Sequence, residues 1–113
     1  MSQRLPAHVE SKALMRRIEA EGGFATLLAK GDPDRGSLLL QINEKGRYVC
    51  YLERQLTVSG AYQWVRCGPP QESETPEIRD FYAKRRRFDE DLWAIELDIA
   101  DAERFIAELT LSV

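Results

Sequence analysis

The sequence predicts an α+β fold. It reads as a mainly antiparallel four- to five-stranded sheet with an N-terminal helix, a second helix before the last strand and a short C-terminal helix, packed on one face. Three observations predict it. Two segments, 6–21 and 76–88, carry apolar residues at helical spacing between start and stop signals. Four short strand-like runs lie between them, joined by turn-forming residues. A fifth alternating run and a last helical stretch close the chain.

The first helix is expected from Pro6 to Glu21. Proline suits the first helical turn, and Ala7, Ser11, Leu14 and Ile18 share one stripe with Met15 beside it. Gly22-Gly23 ends it, because glycine tolerates the left-handed conformation of a helix C-cap. FATLLAK (24–30) reads as a strand, and KGDPDRG as a turn-rich loop. SLLLQIN (37–43) is the most apolar short run and reads as a central strand. NEKG is a compact hairpin connection into RYVCYLER (47–54). Strict alternation there would send Tyr48, Cys50 and Leu52 one way, and Val49 and Tyr51 the other. QLTVSG turns the chain into AYQWVRC (61–67). Short connections favour an antiparallel meander for these four strands. Residues 68–75 (GPPQESET) form a proline-bearing internal linker. Thr75 is then a good N-cap before Pro76, and Ile78, Phe81, Tyr82 and Phe88 supply the helix's apolar face. Leu92 to Asp98 is a fifth strand with Trp93, Ile95 and Leu97 inward. Asp101 caps a last helix whose Phe105, Ile106 and Leu109 face the core.

A chain of 113 residues fits one domain. Its 43% hydrophobic and 31% charged composition is globular, not disordered. The net charge of −3, from 16 basic and 19 acidic residues, gives no global field toward DNA or an anionic membrane. The first residues lack the apolar run of a signal peptide, and nothing approaches the ~18 apolar residues of a membrane span. The expected location is therefore cytoplasmic. In such a reducing compartment Cys50 and Cys67 read as small apolar strand residues. They form no CxxC motif, which weakens the alternative of a redox pair.

The most conspicuous stretch is KRRRFDEDLWAIELD (84–98). Glu72, Glu74, Glu77 and Asp80 gather at the start of the preceding helix, and Lys84, Arg85, Arg86 and Arg87 at its end. That is the distribution a helix dipole favours, and Asp80 and Lys84 are spaced for a helical ion pair. Asp89, Glu90 and Asp91 follow at once; they would repel a phosphate and could serve as ion-pair partners for the arginines. Asp32 and Asp34 flank Pro33, where side-chain-to-backbone turn bonds are the commoner role of paired carboxylates. Trp64 and Trp93 sit at strand alternation, where core packing is the default. His8 is the single histidine and cannot build a zinc site with two distant cysteines. No nucleophile spacing and no glycine-rich phosphate loop is present. No cofactor and no metal are expected.

ALMRRIEAEGGF (13–24), KGDPDRGSLLLQIN (30–43) and RRFDEDLWAIELD (86–98) together resemble the bacterial domain-of-unknown-function family 1491. The resemblance covers nearly the whole chain and implies a fold without a mechanism. It draws interest to Arg16, Arg17, Lys30, Gly31, Asp32, Phe88, Asp89, Asp91, Leu92 and Trp93. It also implies an aromatic where this chain has Glu10 and a proline where it has Glu90. The candidate binding residues are Arg16, Arg17, Asp32, Asp34, Arg85, Arg87, Asp89, Asp91 and Trp93, which lie at element ends and so near a sheet rim. The leading functional expectation is a non-catalytic binding or protein-interaction module with an Arg/Asp cluster at that rim, forming a homodimer through an edge strand or the TLSV tail. The alternative is a small enzyme or a binder of an anionic metabolite, with Arg16, Arg85 or Arg87 as the clamp and Asp32 or Asp89 as acid or base. A weaker alternative is nucleic-acid binding through residues 84–87.

Overall fold

A computed structural model describes residues 5–110. The elements run α1 (Ala7–Ala20), β1 (Phe24–Ala29), β2 (Leu38–Glu44), β3 (Arg47–Leu56), β4 (Tyr62–Cys67), α2 (Thr75–Phe88), β5 (Trp93–Asp98) and α3 (Ala102–Thr110). The strands form one sheet in the order β1-β5-β2-β3-β4. Only β2 and β5 pair in parallel; the other pairings are antiparallel.

The four-strand meander is thus interrupted. β5 lies between β1 and β2, and the reason is burial. Leu38, Leu39, Leu40 and Ile42 of β2, and Trp93, Ala94, Ile95 and Leu97 of β5, are all buried. Strands apolar on both faces belong in the middle of a sheet. β1 buries little and takes an edge.

The helices expected on one face do pack there in the case of α1 and α3. They cover Leu38, Leu40, Ile42, Leu52, Ile95 and Leu97 with Ile18, Phe105 and Ile106. Each such aliphatic side chain contributes roughly 1.5–3 kcal/mol when fully buried. α2 extends the cover to the second face, where Ile78, Phe81 and Tyr82 rest on Leu39, Tyr51 and Leu92. No α2 residue is fully buried, so this helix lies on the sheet and is not sunk into it. Phe88, expected on its apolar face, is 90% exposed. The N-cap position of α2 is Glu74, one residue earlier than expected, and no side chain caps it.

β3 departs from strict alternation. Ile42 pairs with Cys50 but Asn43 with Tyr48, so Val49 is an inserted bulge residue. The bulge puts Val49 with Cys50 and Leu52 in the α1/α3 core. Tyr48 is sent to the α2 side with Tyr51. The two free cysteines end on opposite faces: Cys50 packs in the α1/α3 core and Cys67 against the α2 cluster.

Candidate functional site

Among the places where this fold gathers polar side chains, two bear on a site. The first is the rim where β5 begins. Because β1 and β2 flank β5, their connecting loop (30–37) must step across the start of that strand. It does so at close quarters. A Cβ added at Gly31 would overlap the Asp91 carbonyl oxygen and lie 2.5 Å from its carbon. One at Gly36 would meet the same oxygen and Trp93 Cδ1 at 2.6 Å. Asp32 N–H donates to the Asp91 carbonyl at 3.0 Å, and the Trp93 indole N–H donates to the Asp32 carbonyl at 2.6 Å. Trp93 N–H donates to Ser37 O at 2.8 Å and opens the parallel pairing.

The same loop receives the N-terminus of α1. His8 N–H donates to the Pro33 carbonyl at 2.9 Å, and Ala7 N–H points at that of Asp34 at 3.4 Å. His8 Nδ1 also lies 2.9 Å from Pro33 O. α1 has no side-chain cap, so loop carbonyls satisfy amides that a helix start leaves open. The Asp32 carboxylate accepts the N–H groups of Arg35 at 2.7 Å and Asp34 at 3.0 Å. Those two bonds, Arg35 first, hold its carboxyl below the ordinary aspartate range. The Asp32 side chain is therefore engaged in turn bonds, while Asp34 is exposed.

The basic run is largely spoken for, though not by the acids that follow it. Lys84 pairs with Asp80 at 3.3 Å, and Arg85 Nη2 reaches Glu53 on β3 at 2.8 Å. Arg86 Nη1 donates to the Glu90 carbonyl at 3.0 Å and the Leu92 carbonyl at 2.7 Å. Asp89 Oδ1 accepts Asp91 N–H at 3.0 Å. Arg87 is exposed, and its side chain makes no hydrogen bond or ion pair among the described residues. Arg17 lies elsewhere: it bonds Glu21 and Glu108 and sits 5.3 Å from the Phe105 ring centroid. Nine residues separate it from His8, roughly 13 Å along the helix. The structure brings Asp32, Arg86, Asp89, Asp91 and Trp93 together at the rim; Arg17 stands apart, and Arg85 turns to the α2 face. Among the described residues, no side-chain hydrogen bond or ion pair joins Arg16 or Arg87 to the others.

The second place is a cleft of about 630 Å³ between α2 and the sheet. Thr75, Ile78, Arg79 and Tyr82, spaced i, i+3, i+4 and i+7, form one wall. Gln41 and Asn43 of β2 and Glu96 of β5 lie on the floor, with Tyr48 and Tyr51 of β3, and Leu28 borders it. Gln41 Nε2 donates to Asn43 Oδ1 at 3.2 Å and lies 3.4 Å from Glu96 Oε1. Tyr51 OH donates to Gln41 Oε1 at 3.1 Å, and Tyr48 OH donates to the Pro69 carbonyl at 2.7 Å. Burial raises both phenols above the ordinary tyrosine range. Sequence reading missed this cleft. Its signal was present: Gln41, Asn43 and Glu96 interrupt two otherwise apolar central strands at same-face positions.

The family model for "Protein of unknown function (DUF1491)" matches residues 5–107. The chain belongs to the DUF1491 family. It is similar in structure to the crystal structure of a DUF1491 family protein from Caulobacter crescentus CB15, at 24% identity and TM-score 0.79, over 90% of this chain and 94% of that one. An NMR structure of a DUF1491 family protein from the same organism gives 25% identity and TM-score 0.75, over 89% and 91%. The solution structure of protein Atu0922 from A. tumefaciens gives 25% identity and TM-score 0.71, over 88% and 89%. No curated protein matches the chain. In this DUF1491 domain the motifs KGDPDRG and RRFDEDLW meet at the rim, because the loop of one crosses the strand start of the other. Among the described residues, no group of three His, Cys, Asp or Glu side chains is placed to hold a metal. No described helix is long and apolar enough to cross a membrane.

The cysteines and tyrosines give a pH prediction. Burial pushes the Cys50 thiol up to about 11 and the Cys67 thiol up to about 12. Unfolded, both would ionise near their ordinary values, so above roughly pH 9 the unfolded chain releases protons that the folded one keeps. Their contribution is intact below that pH and is lost as pH rises through about 11 and about 12. The buried phenols act in the same direction. The urea midpoint should fall between about pH 8 and about pH 10.5, and native thiols should label far more slowly than unfolded ones at the lower pH.

Proposed function

We propose that this DUF1491 chain is a non-catalytic protein-interaction module that pairs with a second copy of itself through β1. The observation that carries this reading is the composition of that edge. Phe24–Ala29 contains no charge, in a chain that is 31% charged. Phe24, Leu27 and Leu28 are exposed there by 73%, 44% and 38%. An edge strand offers unpaired N–H and C=O groups, and proteins that stay apart usually guard it with charge. β1 carries a bulge near Leu28 but no lysine or proline. A strand paired antiparallel with its own copy makes a closed, two-fold contact. The TLSV tail, the other expected route to a dimer, has residues 111–113 outside the described residues.

Size-exclusion chromatography with light scattering tests it. The wild-type chain should run at twice its 13.0 kDa mass, and Leu27→Lys should return it to one chain mass without changing its circular dichroism. A wild-type monomer at high micromolar concentration would remove the reading.

A further inference from the structure

We infer that the cleft between α2 and the sheet is a binding site for a small zwitterion, with the ligand's ammonium group on Glu96 and its anionic group at Arg79. This goes beyond self-association through β1 and does not depend on it.

The floor is rich in acceptors. Glu96 is half-buried in the central strand β5, and the one hydrogen bond to its carboxylate among the described residues is the long 3.4 Å approach of Gln41 Nε2. A carboxylate set into a sheet face needs compensation by donors or by a cation. Gln41 cannot supply much, because the same Nε2 also serves Asn43 Oδ1 at 3.2 Å. An ammonium group has three donors and no acceptor, and suits a site where a carboxylate adjoins amide oxygens. Tyr82 and Tyr48, both half-buried, add aromatic surface, which also favours ammonium.

The wall carries the opposite charge. Arg79 lines the cleft, is exposed, and its side chain makes no hydrogen bond or ion pair among the described residues. A simple amine would meet the floor and be opposed by this guanidinium; a simple carboxylate would meet the reverse. A molecule bearing both charges satisfies both residues. Leu28 and Ile78 leave apolar surface for its body. The volume, about 630 Å³, lies within the range of small-molecule sites.

Three residues of the neighbouring basic run do not compete for such a ligand. Lys84, Arg85 and Arg86 are held by Asp80, Glu53 and backbone carbonyls. Arg79, one helical turn before that run, is left available on the cleft side of α2.

Three probes separate the two ends of the ligand: phenylalanine, phenethylamine without the carboxylate, and hydrocinnamate without the ammonium. Each is titrated into the full chain by amide NMR. Phenylalanine should shift Gly46, Tyr82 and Glu96, and bind at least about tenfold tighter than either truncated probe. Glu96→Gln should weaken phenylalanine and phenethylamine by about tenfold and leave hydrocinnamate unchanged. Arg79→Gln should weaken phenylalanine and hydrocinnamate and leave phenethylamine unchanged. Both substitutions are isosteric or exposed, and thermal melts check that each variant is folded. Absence of shifts in the cleft for all three probes up to about 10 mM would overturn the inference, as would equal effects of Glu96→Gln on all three. Neither result bears on the oligomeric state, so this test and the light-scattering test fail separately.

Discussion

Replacing Gly31 with alanine should cost at least about 3 kcal/mol of folding stability, a large share of what a domain of this size has. The reason is where the loop goes. The chain leaves β1 at Ala29, crosses the start of β5 and enters β2 at Leu38. At Gly31 it passes so near Asp91 that a Cβ would overlap the carbonyl oxygen, with the Leu92 carbonyl carbon 2.8 Å away. Both obstacles are backbone, so no rotamer change relieves them. Nor can the loop lift off. Asp32 N–H and the Trp93 indole N–H tie it to β5, and Pro33 O takes His8 N–H from α1. Lifting it would leave donors in three elements without partners, each costing about 1–3 kcal/mol if buried. Gly36→Ala should act in the same direction, against Asp91 O and Trp93 Cδ1. Gly46→Ala is the control: its φ is +80° but no atom lies within 4 Å of the added Cβ, so the expected loss is about 1 kcal/mol. Urea unfolding of the three variants measures this directly. A Gly31→Ala protein as stable as the Gly46→Ala control would show that the loop does not hold these contacts in solution.

That crossing also marks the limit of what could be read from residues alone. Helices and strands were legible because their signals are local. Pro6 and Gly22-Gly23 bracket α1, Asp101 Oδ1 accepts Arg104 N–H at 3.2 Å at the start of α3, and the apolar runs coincide with strands. The place of β5 was not legible, since strand order is a contact between distant segments. The parity of Tyr48 and Val49 was hidden by one inserted residue, which no composition rule announces. The arginine partners were hidden for the same reason. Asp89, Glu90 and Asp91 are neighbours in sequence, yet Arg85 finds Glu53 across the sheet and Arg86 finds carbonyls of the turn it caps. The turn role of Asp32 was legible, because an Asx bond is made within three residues. The cleft was half legible: its floor is a pattern in β2 and β5, but its wall is a helix whose position depends on the whole fold.

The second large effect is expected at Glu10 and Arg54, a pair no local signal indicated. Glu10 lies on α1 and Arg54 near the end of β3, and their side chains are each 15% exposed. Arg54 Nη1 donates to Glu10 Oε1 at 2.9 Å, and Nη2 pairs with Oε2, a two-pronged contact. The guanidinium also sits 4.6 Å from the Trp64 ring centroid. It thus joins α1 to the β3–β4 hairpin, which α1 does not otherwise hold by an ion pair among the described residues. Glu10→Ala strands a guanidinium in a site largely closed to water, and Arg54→Met strands a carboxylate. Each should cost roughly 2–4 kcal/mol, with Glu10→Ala milder because the aromatic face retains part of the cation's stabilisation. The double replacement Glu10→Leu with Arg54→Met removes both charges and restores apolar volume beside Trp64. It should recover most of the loss, to within about 1 kcal/mol of the wild type. A double-mutant cycle by urea unfolding decides the point. Additive losses in the double variant would mean that the two groups act independently, and that the helix is held to the hairpin by Trp64 and its apolar neighbours alone.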